Sequence, residues 1–153
     1  MQTKRSKHLS ARGGSRKLRA LKILLIDNNV TDCCLFEEAF SALRIRHELQ
    51  IARDSAEALA LLNVDISARS LPALIVLDVK IPQGLRLLRA VRRKPKLRAI
   101  PIIVLTTSRD DVDVYRAYEN GASAYVSKPL DDFVDLVGDL DRFWLRRARL
   151  PRH

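Results

Sequence analysis

The sequence lacks the residues that would place it in several large classes. Cysteine occurs only as the adjacent pair Cys33-Cys34. Neighbouring cysteines cannot readily bridge each other and lack the spacing of a metal finger, which excludes a disulfide scaffold and a zinc module. Thiols of this kind point to the cytoplasm. No apolar run nears the roughly 20 residues a membrane span requires. The basic start has no apolar segment behind it, so no secretory signal is expected. Aromatic residues make up 5% of the chain, which leaves little for stacking on nucleic-acid bases. Acid is missing from both ends: residues 1–22 hold eight Lys or Arg, residues 142–153 hold five Arg, and neither stretch holds an Asp or Glu. The interval 23–141 carries 15 bases and 18 acids, so a slightly acidic body lies between two basic ends.

What is present is enough for one core. The 153 residues fit a single domain, and 47% are hydrophobic, so no covalent staple is needed. Residues 1–20 combine Arg, Lys and Ser with Gly13-Gly14 and show no period; they read as a disordered basic arm. Residues 21–147 read as the folded domain and 148–153 as a tail.

The stretch Leu74-Ile75-Val76-Leu77-Asp78 organises the rest. Four strand-forming apolar residues end in a carboxylate, and Pro82 closes the segment. So short and unbroken a run fits a strand buried on both faces. Lys22–Asp27 repeats the pattern, again ending in Asp, and Ile100–Leu105 repeats it with Pro101 at its entrance. His47–Ala52 alternates as a strand, and Ala124–Val126 is a short one.

Helical periods fill the intervals. They cover about Thr31–Leu43, Ala56–Asn63, Gly84–Lys94, Asp110–Glu119 and Leu130–Arg147. Asn29 or Thr31 caps the first. Asp54-Ser55-Ala56-Glu57 is a capping-box-like start to the second. Asp65–Leu71 reads as a loop. In the third, Arg86, Arg89, Arg92 and Arg93 fall on the outer surface. The last carries the stripe Phe133, Val134, Leu136, Val137, Leu140, Phe143 and Trp144. Five strand–helix alternations predict an α/β fold, a single five-stranded parallel sheet with helices on both faces.

In such a sheet, ligands bind at the carboxyl ends of the strands. Four of the five strands offer polar groups there: Asp27 with Asn28, Asp78, Thr106 and Lys128. Two carboxylates suit a hard cation such as Mg²⁺. A Lys and a Thr suit an anionic oxygen. Together they point to phosphoryl transfer onto Asp78 or Asp27.

These residues, with Pro82, Leu105-Thr106-Thr107, Gly121-Ala122-Ser123-Ala124-Tyr125 and Lys128-Pro129, resemble the receiver domain of two-component response regulators. The resemblance spans residues 22–145. The ending Phe143-Trp144-Leu145 with Leu150-Pro151 resembles the small regulators that partner bacterial and cyanobacterial phytochromes. The resemblance implies the flavodoxin-like strand order 2-1-3-4-5 and a signalling protein rather than an enzyme. It implies Asp78 as phosphoacceptor, loaded by a sensor histidine kinase, here of the phytochrome kind. Asp27, Asp78 and the Lys80 backbone carbonyl would hold Mg²⁺. Thr106 and Lys128 would contact the phosphoryl group, with the Lys128–Pro129 bond cis. Thr106 and Tyr125 would form the switch, although Tyr125 reads equally as a half-buried strand aromatic. Phe143, Trp144 and Leu145 would form a homodimer interface.

Two departures stand out. Receivers usually carry two acids after the first strand, where this chain has Asp27-Asn28. Asn28 can still coordinate through its amide oxygen, but the count of site carboxylates drops from three to two. Lys80 adds positive charge nearby, and Gly84 shortens the loop after Pro82. A phosphorylatable but metal-weak domain is therefore expected. The opposing expectation is a degenerate receiver that acts by binding or dimerisation without phosphorylation. A third class is a basic nucleic-acid-binding protein, using the ends and the stripe Arg86–Arg98. No helix-turn-helix or finger spacing supports it.

Overall fold

A computed structural model describes residues 20–63, 71–129 and 132–151. The expected basic arm, most of the Asp65–Leu71 loop and the first residues of the expected last helix lie outside the described residues. The elements run β1 (Lys22–Ile26), α1 (Val30–Ala42), β2 (Glu48–Ala52), α2 (Ser55–Leu62), β3 (Leu74–Leu77), α3 (Gly84–Arg93), β4 (Ile102–Thr106), α4 (Asp111–Glu119), β5 (Ala124–Ser127) and α5 (Phe133–Leu140). A π-helical segment, Asp141–Arg147, continues α5.

The five strands form one parallel sheet in the order β2-β1-β3-β4-β5, the predicted order. The three central strands are the three with unbroken apolar runs. Every residue of β3 and β4 is buried, as are four of the five in β1. The edge strands β2 and β5 are mostly half-buried. A strand with neighbours on both edges and helices on both faces has no wet side, so its sequence shows no alternation.

Alternation reappears in where each side chain packs. Leu24, Ile26, Ile75, Leu77, Ile102 and Val104 face α2, α3 and α4 through Ala58, Leu62, Leu87, Leu88, Val91 and Ala117. Ile23, Leu25, Leu74, Val76, Ile103 and Leu105 face α1 and α5 through Phe36, Ala39, Phe40, Phe133 and Val137. Each fully buried Leu or Ile stabilises by roughly 1.5–3 kcal/mol. Truncating Leu88, which is fully buried, would cost about 2–5 kcal/mol.

Local chemistry sets the boundaries. Asn29 caps α1 by accepting from the Asp32 amide at 3.0 Å, and Asp54 caps α2 by accepting from the Glu57 amide at 2.7 Å. Glu57 reaches back to the Arg53 amide at 3.0 Å, which completes the capping exchange one residue early. Pro101 precedes β4 and its carbonyl accepts from Ile75 at 3.0 Å, so only its absent N–H is missing from the ladder. The short β3–α3 connection turns through Gln83 at φ 62. A side chain at Gly84 would meet the Val79 carbonyl oxygen at 2.4 Å, so only glycine lets α3 start so close to that turn.

Three expectations need correction. Arg92 does not lie on the outer surface. Its guanidinium is half-buried and donates to the carbonyls of Gly121 (2.7 Å), Ile100 (2.7 Å) and Arg98 (2.9 Å), bracing α3 against the ends of β4 and α4. The last helix is not a single α-helix but changes to π geometry at Asp141, with the Ala148 amide donating to the Phe143 carbonyl at 2.7 Å. The Lys128–Pro129 bond is not cis: no described peptide bond is. Trans is the default for X–Pro by about 0.5–1 kcal/mol, and Lys128 reaches its partners in that form. Among the described residues no helix is long and apolar enough to cross a membrane.

Candidate functional site

Three strand ends and one helix turn bring four charged groups together. The Asp27 amide donates to Ala52 (3.0 Å) and the Asp78 amide to Ile26 (2.9 Å), so both residues still belong to the sheet's hydrogen bonding. The Lys128 amide donates to the Thr106 carbonyl at 2.8 Å, fixing the end of β5 beside that of β4. The side chains of Asp27, Asp78, Thr106 and Lys128 are buried, and that of Asp32 is partly exposed. The parallel order sends every strand out at the same end, so sheet topology alone collects them.

Each carboxylate divides its work between backbone and charge. Asp27 Oδ1 accepts from the Asn29 amide at 2.9 Å, and Asp78 Oδ1 accepts from the Lys80 amide at 2.9 Å. The other oxygens converge on one ammonium: Lys128 Nζ lies 2.7 Å from Asp27 Oδ2, 2.8 Å from Asp78 Oδ2 and 2.9 Å from Asp32 Oδ2. An ammonium has three N–H bonds, and all three are used.

The electrostatics follow from burial and crowding. Burial pushes the Asp27 carboxyl above its usual range, and the Lys128 and Asn29 contacts offset only part of that rise. Burial pulls the Lys128 ammonium down, but hydrogen bonds to three carboxylates outweigh it, and the group is held above its ordinary value. Lys128 is therefore a fixed cation at neutral pH. Beneath the site, burial and the Asp27 charge push the Cys33 thiol up to about 11, which leaves it an unreactive core residue.

Thr106 is the exception to this pairing. It is fully buried, and Thr106 Oγ1 is the one buried side-chain polar atom among the described residues with no hydrogen-bond partner. An unpaired buried hydroxyl costs about 1–3 kcal/mol, and here it leaves the rim with unused hydrogen-bonding capacity.

The chain belongs to the response regulator receiver family. The receiver-domain profile matches residues 23–138. FilR2 of Methanothrix harundinacea, a probable methanogenesis regulatory protein, is 37% identical over 84% of this chain and 86% of its own length. The response regulator Rcp1 of Synechocystis is 35% identical over 84% of this chain and 92% of its own. The crystal structure of the phosphorylated cyanobacterial phytochrome response regulator RcpA superposes with a TM-score of 0.79 at 32% identity, covering 87% of this chain and 99% of that one. Rcp1 itself has been solved in a Mn²⁺-bound form. Receivers are signalling proteins that partner sensor kinases, and the family binds Mg²⁺ or Mn²⁺.

Of the residues picked from the receiver sequence, Asp27, Asp78, Thr106 and Lys128 form the site. Asn28 is exposed at its margin. Lys80 gives the site its amide, while its ammonium turns away to Asp113 Oδ2 at 3.2 Å. The positive charge that the sequence put near the site is thus paired with Asp113. Asp113 also accepts from Ser108 Oγ at 2.5 Å, and the Tyr125 hydroxyl donates to the Ser108 carbonyl at 2.8 Å. Tyr125, a half-buried residue of β5, is thus tied to the loop after Thr106.

Asp32 escaped the sequence reading, which considered only strand ends. The available signal was its helix position. With Asn29 as cap, Asp32 is the third residue of α1, and helical side chains lean toward the N-terminus. The site carboxylates therefore number three, not two. As they stand they hold an ammonium, and among the described residues no three His, Cys, Asp or Glu groups are arranged to hold a metal ion. The donor chemistry nevertheless suits one: three hard carboxylates already surround a cation, the Lys128 ammonium.

Proposed function

We propose that this chain is a response regulator that accepts a phosphoryl group on Asp78 from a phosphohistidine of a sensor kinase. The observation that carries this reading is the unpartnered, fully buried Thr106 hydroxyl at the end of the strand next to Asp78, in a rim whose other buried side-chain polar atoms are paired. An Asp78 carboxylate oxygen attacks phosphorus, the histidine N–P bond breaks, and its electron pair returns to the imidazole ring. The new phosphoryl oxygens carry the charge that Thr106 Oγ1 and Lys128 Nζ are placed to receive. A divalent cation held by Asp27 and Asp78, with the Lys80 carbonyl and Asn28 as further oxygen donors, would supply charge neutralisation at those oxygens.

Binding the phosphoryl oxygen draws on Thr106, and the loop that follows Thr106 holds Tyr125 through Ser108. These two residues are the switch in this reading. The likeness to RcpA and Rcp1 favours a phytochrome-type kinase as the donor. Incubation with a phosphorylated histidine kinase or a small phosphodonor should label the wild type and leave Asp78→Asn unlabelled. An unlabelled wild type would refute the acceptor role and favour a receiver that works by binding alone.

The same reading includes a homodimer through the end of the last helix. Phe143 is 54% exposed and packs edge-on against Trp144, with ring centroids 5.1 Å apart. Trp144 and Leu145 lean back onto the protein's own core, so Phe143 is the principal free contact. Sedimentation at micromolar concentration should show a dimer that Phe143→Asp dissolves; a monomeric wild type would remove the dimer from this reading.

A further inference from the structure

Asn28 leaves the second acidic position of the family without a charge, and Asp32 stands where it can replace that charge. Its side chain is 20% exposed, so it lies at the mouth of the site rather than its floor. Its amide is fixed by the Asn29 cap, and its carboxylate completes the ring around Lys128. The ring is more than an acidic cluster: a buried cation already lies in it, and the unpartnered Thr106 hydroxyl belongs to the same rim.

We propose that Asp32 is the third acidic arm of the phosphorylation site, supplying from the first turn of α1 the charge that Asn28 lacks. The proposal rests on reading the rim as a phosphoacceptor site. In the resting protein Asp32 holds the Lys128 ammonium. When a divalent cation enters between Asp27 and Asp78, Asp32 keeps the net charge of the site favourable, either at the cation directly or through one of its waters. On this reading the domain holds the cation more tightly than two carboxylates alone would allow. The substitution also moves the third charge from a rigid strand end to a helix turn at the mouth, where it meets the cation as it enters.

Relocating the charge tests this directly. Mn²⁺ binding to the unphosphorylated protein, read by loss of the free-ion paramagnetic resonance signal, needs no phosphoryl transfer. Asp32→Asn should weaken binding about tenfold or more, because one unit charge is removed within a few ångströms of a divalent ion. Asn28→Asp added to Asp32→Asn should restore it to within a few-fold of wild type. Near-UV circular dichroism of both variants establishes that they fold.

Wild-type affinity in folded Asp32→Asn would overturn the proposal, as would failure of the second substitution to restore binding, or no Mn²⁺ binding by the wild type. The acceptor reading fails separately: it falls if Asp78 is not labelled, whatever Asp32 does to Mn²⁺.

Discussion

Both ends of the sheet bury a carboxylate against a cation, but the balance of charge at the two ends differs. At the carboxyl rim, Asp27 and Asp78 with Asp32 share the single ammonium of Lys128. At the opposite end, buried Asp141 pairs at 2.9 Å with Arg146, whose side chain is 67% exposed. Nearby, His47 Nδ1 accepts from the Leu21 amide at 3.0 Å, just ahead of β2 and β1. The distal pair is one acid to one base with its cation in water. The rim holds three acids to one base, a cation sealed from water and a hydroxyl without a partner. Buried charge is thus a poor marker of function by itself; unbalanced charge beside unused hydrogen-bonding capacity is a better one.

Removing each cation should break that comparison at its widest point. Lys128→Met leaves three carboxylates facing one another with nothing between them. Breaking a buried ion pair from one side costs about 3–5 kcal/mol, and the low end is expected because Asp32 opens the rim to water. Asp27, already raised by burial, would then rise further. A carboxyl raised in the folded state costs stability above its unfolded value and nothing below it. The deficit in urea unfolding should therefore be largest at neutral pH and narrow as pH falls toward the carboxylate range. A constant deficit would mean that lost packing, not charge, is responsible.

The next largest effect should have the opposite sign. Thr106→Val keeps the side-chain shape and removes the unpaired hydroxyl. It should stabilise the protein by about 1 kcal/mol while weakening retention of the phosphoryl group on Asp78, read as faster loss of label. Stability gained together with function lost would identify the rim as strained for a purpose. Unchanged or reduced stability would show that the hydroxyl is already satisfied, by water for instance.

This contrast also explains what could be read from the sequence. The strands β1, β3 and β4 were legible because a doubly covered strand leaves an uninterrupted apolar run. Their terminal Asp27, Asp78 and Thr106 were legible because parallel topology sends every strand end to one rim. Asp32 was not, because the contact depends on how Asn29 starts α1, and no strand pattern records that. The end of the last helix misled for a related reason. A 3.6-residue stripe places Phe143 and Trp144 together on one face. The π geometry from Asp141 changes the turn per residue, so Phe143 faces out while Trp144 and Leu145 return to the core. Arg92 looked like surface charge because its carbonyl partners, on Ile100 and Gly121, come from later loops.

The smallest effect belongs to the distal end and tests whether its charges are merely structural. Burial lowers the His47 pKa; the Asp141 charge raises it and Arg146 lowers it again. The Nδ1 that accepts from Leu21 must be unprotonated, so the folded protein favours neutral imidazole. With the folded value below the unfolded one of about 6.5, the unfolded chain takes up its proton first as pH falls. Stability contributed by neutral His47 is then complete above that value and declines below it. Urea midpoints from pH 8 to pH 5 should fall more steeply for the wild type than for His47→Gln, whose amide oxygen can still accept from Leu21. Arg146→Ala should cost at most about 1 kcal/mol at neutral pH, as for an exposed ion-pair partner, and should make the slope shallower by leaving Asp141 to favour the imidazolium. Equal slopes for wild type and His47→Gln would show that His47 does not titrate with folding. The Mn²⁺ affinity of the rim should be unchanged in both variants, since neither touches it; a shift there would show that the two ends of the sheet are coupled rather than independent.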